Sequence, residues 1–172
     1  MPTFDITSEF NSQEIVNAVD QAFREIVNRY DFRNTGTSIE FNEKTITLKS
    51  STEERLKAAE QVLKEKFVKR NVSIKFLSDI KLEKTPSEVK HFYNLKSGIT
   101  QEESKEIISL IKKVNKKTQC AYQNQSIRVS AKKRDDLQEI IQLLKDSDID
   151  TPINFGNKIF KNQPLENKIF EF

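Results

Sequence analysis

Ser126-Ile-Arg-Val-Ser-Ala-Lys-Lys-Arg-Asp-Asp-Leu-Gln-Glu-Ile-Ile-Gln-Leu-Leu-Lys145 is the stretch whose reading decides the fold. It begins with the alternation of a half-buried strand, Ile127 and Val129 sharing one side. A basic turn follows, then an amphipathic helix. The same pattern stands earlier in the chain at a constant offset. Adding 81 to Phe41, Ile46, Leu48, Leu56, Leu63 and Lys64 gives Tyr122, Ile127, Val129, Leu137, Leu144 and Lys145. A fixed offset across strand, strand and helix marks a duplicated unit, because each copy must bury its own helix face on its own sheet.

Outward from that pattern, Thr3–Ser8 alternates as a strand with Phe4 and Ile6 on one face. Asn11 or Ser12 caps a first helix, in which Ile15, Val19, Ala22, Phe23, Ile26 and Tyr30 fall on one stripe. Ser38–Asn42 and Thr45–Lys49 read as a hairpin, and Ser51-Thr-Glu-Glu54 as a capping box that opens a second helix. A fourth strand over 73–77 completes βαββαβ. Lys81–Glu88, polar and containing Pro86, reads as a linker. Val89–Lys96 restarts the pattern, and Thr100-Gln-Glu-Glu103 is another capping box. The first strands and caps align at an offset of 89, which predicts a first helix about two turns longer than the third.

The expectation is an α+β chain: a tandem duplication of two ferredoxin-like, RNP-like units with antiparallel sheets. The units span 1–82 and 88–160, and a C-terminal tail spans 161–172. The terminal strands of such tandems can be exchanged, so that 3–8 would join the second unit's sheet.

Composition limits the chemistry. Of 172 residues, 32% are charged and three are Gly, which leaves little room for glycine-rich phosphate loops. Neither a Walker A nor a G-x-G-x-x-G sequence occurs, and a single His and a single Cys form no zinc-ligand set. No cofactor motif is found, so the expectation is a non-enzymatic protein, with His91 and Cys120 as packing residues. The first ten residues have no leader character and no apolar run reaches the ~20 residues of a membrane span, so a soluble cytoplasmic protein is expected. Residues 1–85 hold 14 basic and 14 acidic groups, and 86–172 hold 15 and 12. The whole +3 net charge therefore sits in the second half, where an anionic partner would be met.

A ferredoxin-like sheet leaves one face uncovered by its helices. In the first unit that face carries Thr3, Asp5, Thr7, Ser38, Glu40, Thr45, Thr47 and Lys49, with no aromatic ring. In the second it carries Lys90, Phe92, Asn94, Lys96, Gln119, Gln123, Arg128 and Ser130. Lys90, Phe92, Lys96 and Arg128 are read as a nucleotide site, with a base stacked on Phe92 and the cations on phosphate. The other reading is a face covered by the other unit, with Phe92 as glue. Arg29 and Arg33 cluster after the first helix, where cations suit the dipole, and Lys132-Lys133-Arg134 crosses the start of the fourth, where they do not.

Four segments in order, Pro2-Thr-Phe-Asp-Ile6 with Ser8-Glu9, Arg29-Tyr-Asp-Phe-Arg-Asn34, Leu95-Lys-Ser-Gly-Ile99 and Lys133-Arg-Asp-Asp-Leu-Gln138, resemble the YajQ family over nearly the whole chain up to about Phe155. The resemblance implies a bacterial, cytoplasmic nucleotide-binding protein with two ferredoxin-like domains similar to RNP domains. It makes Arg29, Asp31, Phe32, Arg33, Arg134, Asp135 and Asp136 candidates. It also implies a sensor or adaptor for a nucleotide or cyclic dinucleotide. Alternatives are an RNA- or tRNA-binding protein and a protein-interaction scaffold. The chain departs from the family at its end, where Asn154-Phe155 runs into Gly156-Asn-Lys-Ile-Phe160 and a longer tail rather than a terminal aromatic-Asn-Phe-Arg.

Overall fold

The computed structural model describes residues 1–156 and 169–171. Its elements are β1 (Thr3–Thr7), α1 (Ser12–Asn28), β2 (Ser38–Asn42), β3 (Thr45–Ser50), α2 (Glu53–Lys69), β4 (Leu77–Lys84), β5 (Val89–Leu95), α3 (Gln101–Val114), β6 (Gln119–Gln123), β7 (Ser126–Ser130), α4 (Arg134–Asp146), β8 (Asn154–Gly156) and β9 (Ile169–Glu171). The class is α+β, with four helices and two antiparallel sheets. The duplication is visible in the ladders. Phe41 faces Ile46 in one hairpin and Tyr122 faces Ile127 in the other, the same pair at the offset of 81, and both isoleucines are fully buried.

The central strands are exchanged. One sheet runs β6-β7-β1-β8-β9 and the other β2-β3-β5-β4. β1 pairs with β7, Phe4 opposite Val129 and Ile6 opposite Ile127. In its place beside β3 lies β5, Tyr93 opposite Ile46. Each sheet keeps the ferredoxin-like order, but the contiguous division at 82/88 is corrected. One unit is Met1–Glu9 with Ser97–Phe172, and Phe10–Lys96 is the other, inserted between β1 and α3.

The expected linker at 81–88 is instead the arm of a hairpin. β4 runs to Lys84, and the Thr85 N–H donates to the Glu88 carbonyl (2.9 Å) while the Glu88 N–H donates to Thr85 Oγ1 (3.1 Å). A polar edge strand has the composition of a linker, and pairing on one side only lets its side chains stay wet. The expected fourth strand at 73–77 is mainly a 3-10 turn, Ile74–Phe76, that delivers the chain into β4.

The helix caps follow the sequence with one shift. Asn11 caps α1 and Thr100 caps α3, each side chain accepting from first-turn backbone N–H groups. In α2 the cap is Thr52, which accepts from Arg55 N, and the Ser51 N–H donates to the Thr35 carbonyl (2.8 Å). The eight extra residues of the first unit do not all lengthen its helix. α1 has 17 residues against 14 in α3, and the rest form a 3-10 turn, Tyr30–Phe32, and the loop after it. Two residues assigned to the stripe of α1 are outside its buried face: Tyr30, in the 3-10 turn beyond the helix, is 82% exposed, and Phe23, within the helix, is 43% exposed. Most of the expected tail, 161–168, lies outside the described residues. Residues 169–171 are not tail but strand β9, with Phe170 opposite Phe155.

The Leu95–Ile99 segment is where the chain returns from the inserted unit to the one that holds β1. Gly98 has φ +85°, and a Cβ there would stand 2.5 Å from Gln125 Oε1. Its N–H donates to the Ser8 carbonyl at 2.6 Å, and the Ile99 N–H to the Gln125 carbonyl at 2.9 Å.

The exchange predicts where damage spreads. Phe4 is fully buried among Ile99, Ile107, Ile127 and Leu137. Phe4→Ala should cost about 3–5 kcal/mol. Hydrogen exchange should then accelerate in α3, β7 and α4 while α1, β2 and β3 keep their protection. Loss of protection in α1 to β3 instead would contradict the exchanged ladder.

Candidate nucleotide interface

Strand alternation turns Val89, His91, Tyr93 and Leu95 of β5 toward the helices and leaves Lys90, Phe92 and Asn94 on the open face. The register then sets three rows across this sheet. Ser38, Lys49, Lys90 and Glu83 form one, Glu40, Thr47, Phe92 and Lys81 the next, and Asn42, Thr45, Asn94 and Ser78 the third. Phe92 is thus near the middle of the open face, half-buried, with the Lys81 ammonium 5.1 Å from its ring centroid. The ring belongs to the sheet that was expected to have none.

The cations around Phe92 are held by carboxylates. Lys81 pairs with Glu83 at 2.8 Å, and that ammonium, by hydrogen bond and then by charge, lowers the Glu83 carboxyl below its ordinary range. Glu88 is shared by Lys90 (3.5 Å) and Lys49 (3.8 Å). The face therefore presents one ring, three ammonium groups within a row of it, and carboxylates that an arriving phosphate would displace.

The sequence-predicted site is divided by the strand exchange. Lys90, Phe92 and Lys96 lie together on β5 or just beyond it, and Phe92 faces Thr47. Arg128 does not join them. It lies on β7 opposite Asp5, its Nε 3.1 Å from Asp5 Oδ1. The grouping assumed β5 beside β7, a place β1 occupies. The described open-face positions of β6, β7, β1 and β8 hold no aromatic ring. Arg134 opens α4 after Lys133, which gives no side-chain cap. Reasoning from sequence missed Lys81, because its strand was read as a linker. The alternation that continues through Leu82 and Glu83 was the available signal.

Arg29 and Arg33 belong to a clasp. The Arg29 guanidinium donates twice to Asp31, at 3.0 and 2.8 Å, and stands 4.9 Å over the ring of buried Phe32. Arg55 from α2 reaches the same carboxylate at 3.1 Å. The Arg29 hydrogen bond, more than any other influence, holds the Asp31 carboxyl low. This motif ties the end of α1 to the start of α2 through the shared Asp31 carboxylate. Arg33 instead lies 5.4 Å over the exposed Tyr30 ring.

The reverse side of β5 braces Phe92. Tyr93 is buried and its ring lies 4.1 Å from that of His91. Glu60 of α2 lies beside Tyr93, pairs with Lys64 at 3.1 Å, and is 3.8 Å from His91 Nδ1. Burial pushes the Glu60 carboxyl up, but the Tyr93 and Lys64 hydrogen bonds and the Lys64 and His91 charges together outweigh it, so it sits below its ordinary value. Cys120 is half-buried against the other core, and burial raises its thiol, the reverse of an activated nucleophile. Among the described residues no cluster of three or more His, Cys, Asp or Glu could hold a metal ion, and no helix is long and apolar enough to cross a membrane.

A family model described as "Nucleotide-binding protein YajQ-like" matches residues 2–159. Similar curated proteins carry the name "Nucleotide-binding protein". One from Carboxydothermus hydrogenoformans is 46% identical over 158 residues, 90% of this chain and 96% of that one. Another, from Trichodesmium erythraeum, is 44% identical over 156 residues, again 90% and 96%. A third, from Thioalkalivibrio sulfidiphilus, is 40% identical over 157 residues, 91% and 98%.

The Glu60 network gives a pH prediction. A carboxyl whose folded value is depressed adds stability above its unfolded value and loses it as pH falls through the folded one. Glu60→Gln should cost about 1 kcal/mol in urea unfolding at neutral pH. It should also flatten the stability loss between about pH 5 and 3. An unchanged acid limb would show that the carboxylate is not held as described.

Proposed function

The chain belongs to the YajQ family, and from that premise we propose that it binds a nucleotide on the open face of β2-β3-β5-β4. The base stacks on Phe92, and Lys49, Lys81 and Lys90 take the phosphate. The observation that carries this reading is the isolated ring at the middle of the face with an ammonium 5.1 Å from its centroid. Stacking on one ring contributes about 1–3 kcal/mol per base. The relatives' shared name supports the ligand class.

The protein acts without catalysis, as a cytoplasmic sensor or adaptor for a mononucleotide or cyclic dinucleotide. Its open face sets three lysines against three carboxylates, Glu83 and Glu88 in ion pairs with them and Glu40 opposite Thr47, so it has no net positive charge to hold a long polyanion. That balance favours a small ligand over RNA, whose binding draws on the release of many counterions. Lys96 and Arg33 sit outside the stacking rows, and Arg29, Arg128 and Arg134 take no part in this site.

Titration calorimetry against GMP and cyclic di-GMP tests the reading. Phe92→Ala should weaken binding about tenfold, a loss of ~1.4 kcal/mol. Glu88→Gln should tighten it severalfold by freeing Lys49 and Lys90, and Arg128→Ala should change nothing. A shallow salt dependence is expected, whereas a steep one with tRNA would make RNA the ligand. If Phe92→Ala and Arg128→Ala behave alike, the site is elsewhere.

A further inference from the structure

Helix α1 is apolar on two sides. Ile15, Ala18, Val19, Ala22 and Ile26 are buried on the sheet, yet Val16, Phe23 and Val27 stay 45%, 43% and 60% exposed. Val16, Val19, Asp20 and Phe23 line an open groove of ≈ 330 Å³ against Ile39 and Phe41 of β2.

The duplicated unit supplies an internal comparison. α3 is capped at Thr100, 89 residues after Asn11, and buries Ser104, Ile107 and Ile111 where α1 buries Ile15, Ala18 and Ala22. At that offset Val16 and Phe23 are replaced by Lys105 and Lys112. The fold therefore accepts a charged flank here, Lys105 exposed and the Lys112 ammonium donating to the Thr118 carbonyl, so an apolar flank is not required at this helix position.

The two edges of the sheet also differ. β4 carries the devices that block edge pairing: Lys81, Glu83 and Lys84, a bulge between Asp79 and Lys81, and Pro86 in the turn beyond. β2, Ser-Ile-Glu-Phe-Asn, is an edge with no bulge, no proline and one charge.

We propose that α1 and β2 form a self-complementary surface on which a second copy of this chain docks, β2 against β2 across a two-fold axis and α1 beside α1. Antiparallel residues that face each other share a sheet face, so the axis falls on a residue. An axis on Glu40 would oppose its carboxylate to itself. An axis on Phe41 opposes the two rings and sets Glu40 against Asn42. The flank is balanced in charge, because Asp20 and Arg24 are exposed partners at 3.1 Å. An antiparallel copy presents the same pair in reverse order, acid facing base.

Sedimentation equilibrium of the full chain from about 1 to 100 µM tests the surface, a range that reports micromolar dimers. Wild type should shift from monomer to dimer, and Val16→Lys with Phe23→Lys should weaken association about a hundredfold at unchanged circular dichroism. In a Cys120→Ser background, Phe41→Cys should form a disulfide-linked dimer under mild oxidation, which decides the matter even if the lysine variant folds poorly. A wild type that stays monomeric, a dimer indifferent to both lysines, or no crosslink at Phe41→Cys would overturn the proposal. So would a monomer that takes up an extended peptide in the groove.

Discussion

The ladder between β1 and β7 is the constraint on which the rest depends. Phe4 and Ile6 have no accessible surface and lie opposite Val129 and Ile127, so the first strand of the chain completes the sheet of its last unit. The place beside β3 is then left to β5, brought there by the β4–β5 hairpin. Both sheets recover the same order by different chain paths. The exchange also costs little in packing, because Ile46 meets Tyr93 where Ile127 meets Ile6, an apolar pair in either case.

The proposed site follows from that arrangement more than from any single motif. Had β5 stayed beside β7, Phe92 would stand next to Arg128. Instead Phe92 lies between Thr47 and Lys81, while Arg128 is neutralised by Asp5. In the segment Arg29–Asn34, which looks like a basic ligand site, Asp31 is clasped by Arg29 and by Arg55 of α2, and Arg33 lies over the Tyr30 ring. A nucleotide at Phe92 would compete with Glu88 for two lysines, so affinity is set by that exchange of partners as much as by stacking.

Much of the fold was legible because it rests on periodicity. The offset of 81 located both hairpins, and Asn11 and Thr100 announced their helices through cap chemistry. Strand exchange of residues 3–8 could be raised from the sequence but not decided by it. Phe4 and Tyr93 fit either sheet, since alternation reports which side is buried but not the neighbouring strand. Lys81–Glu88 misled because an edge strand and a linker share a polar composition. Phe23 misled for the opposite reason: it matches the helical stripe in spacing, yet it stays 43% exposed in the open groove beside Ile39 and Phe41 of the edge strand. Of the candidate site, Phe92 and Lys90 could be placed on an open face from alternation alone. Their neighbours Lys49 and Lys81 required the topology.

The most direct measurement is a two-dimensional amide NMR titration of the full chain with GMP. Resonances of Thr47, Lys81, Lys90 and Phe92 should move together and saturate with one affinity, while those of Asp5, Arg128 and Arg134 stay in place. Shifts confined to β1, β7 and the start of α4, with β5 silent, would contradict a nucleotide site on the exchanged strand.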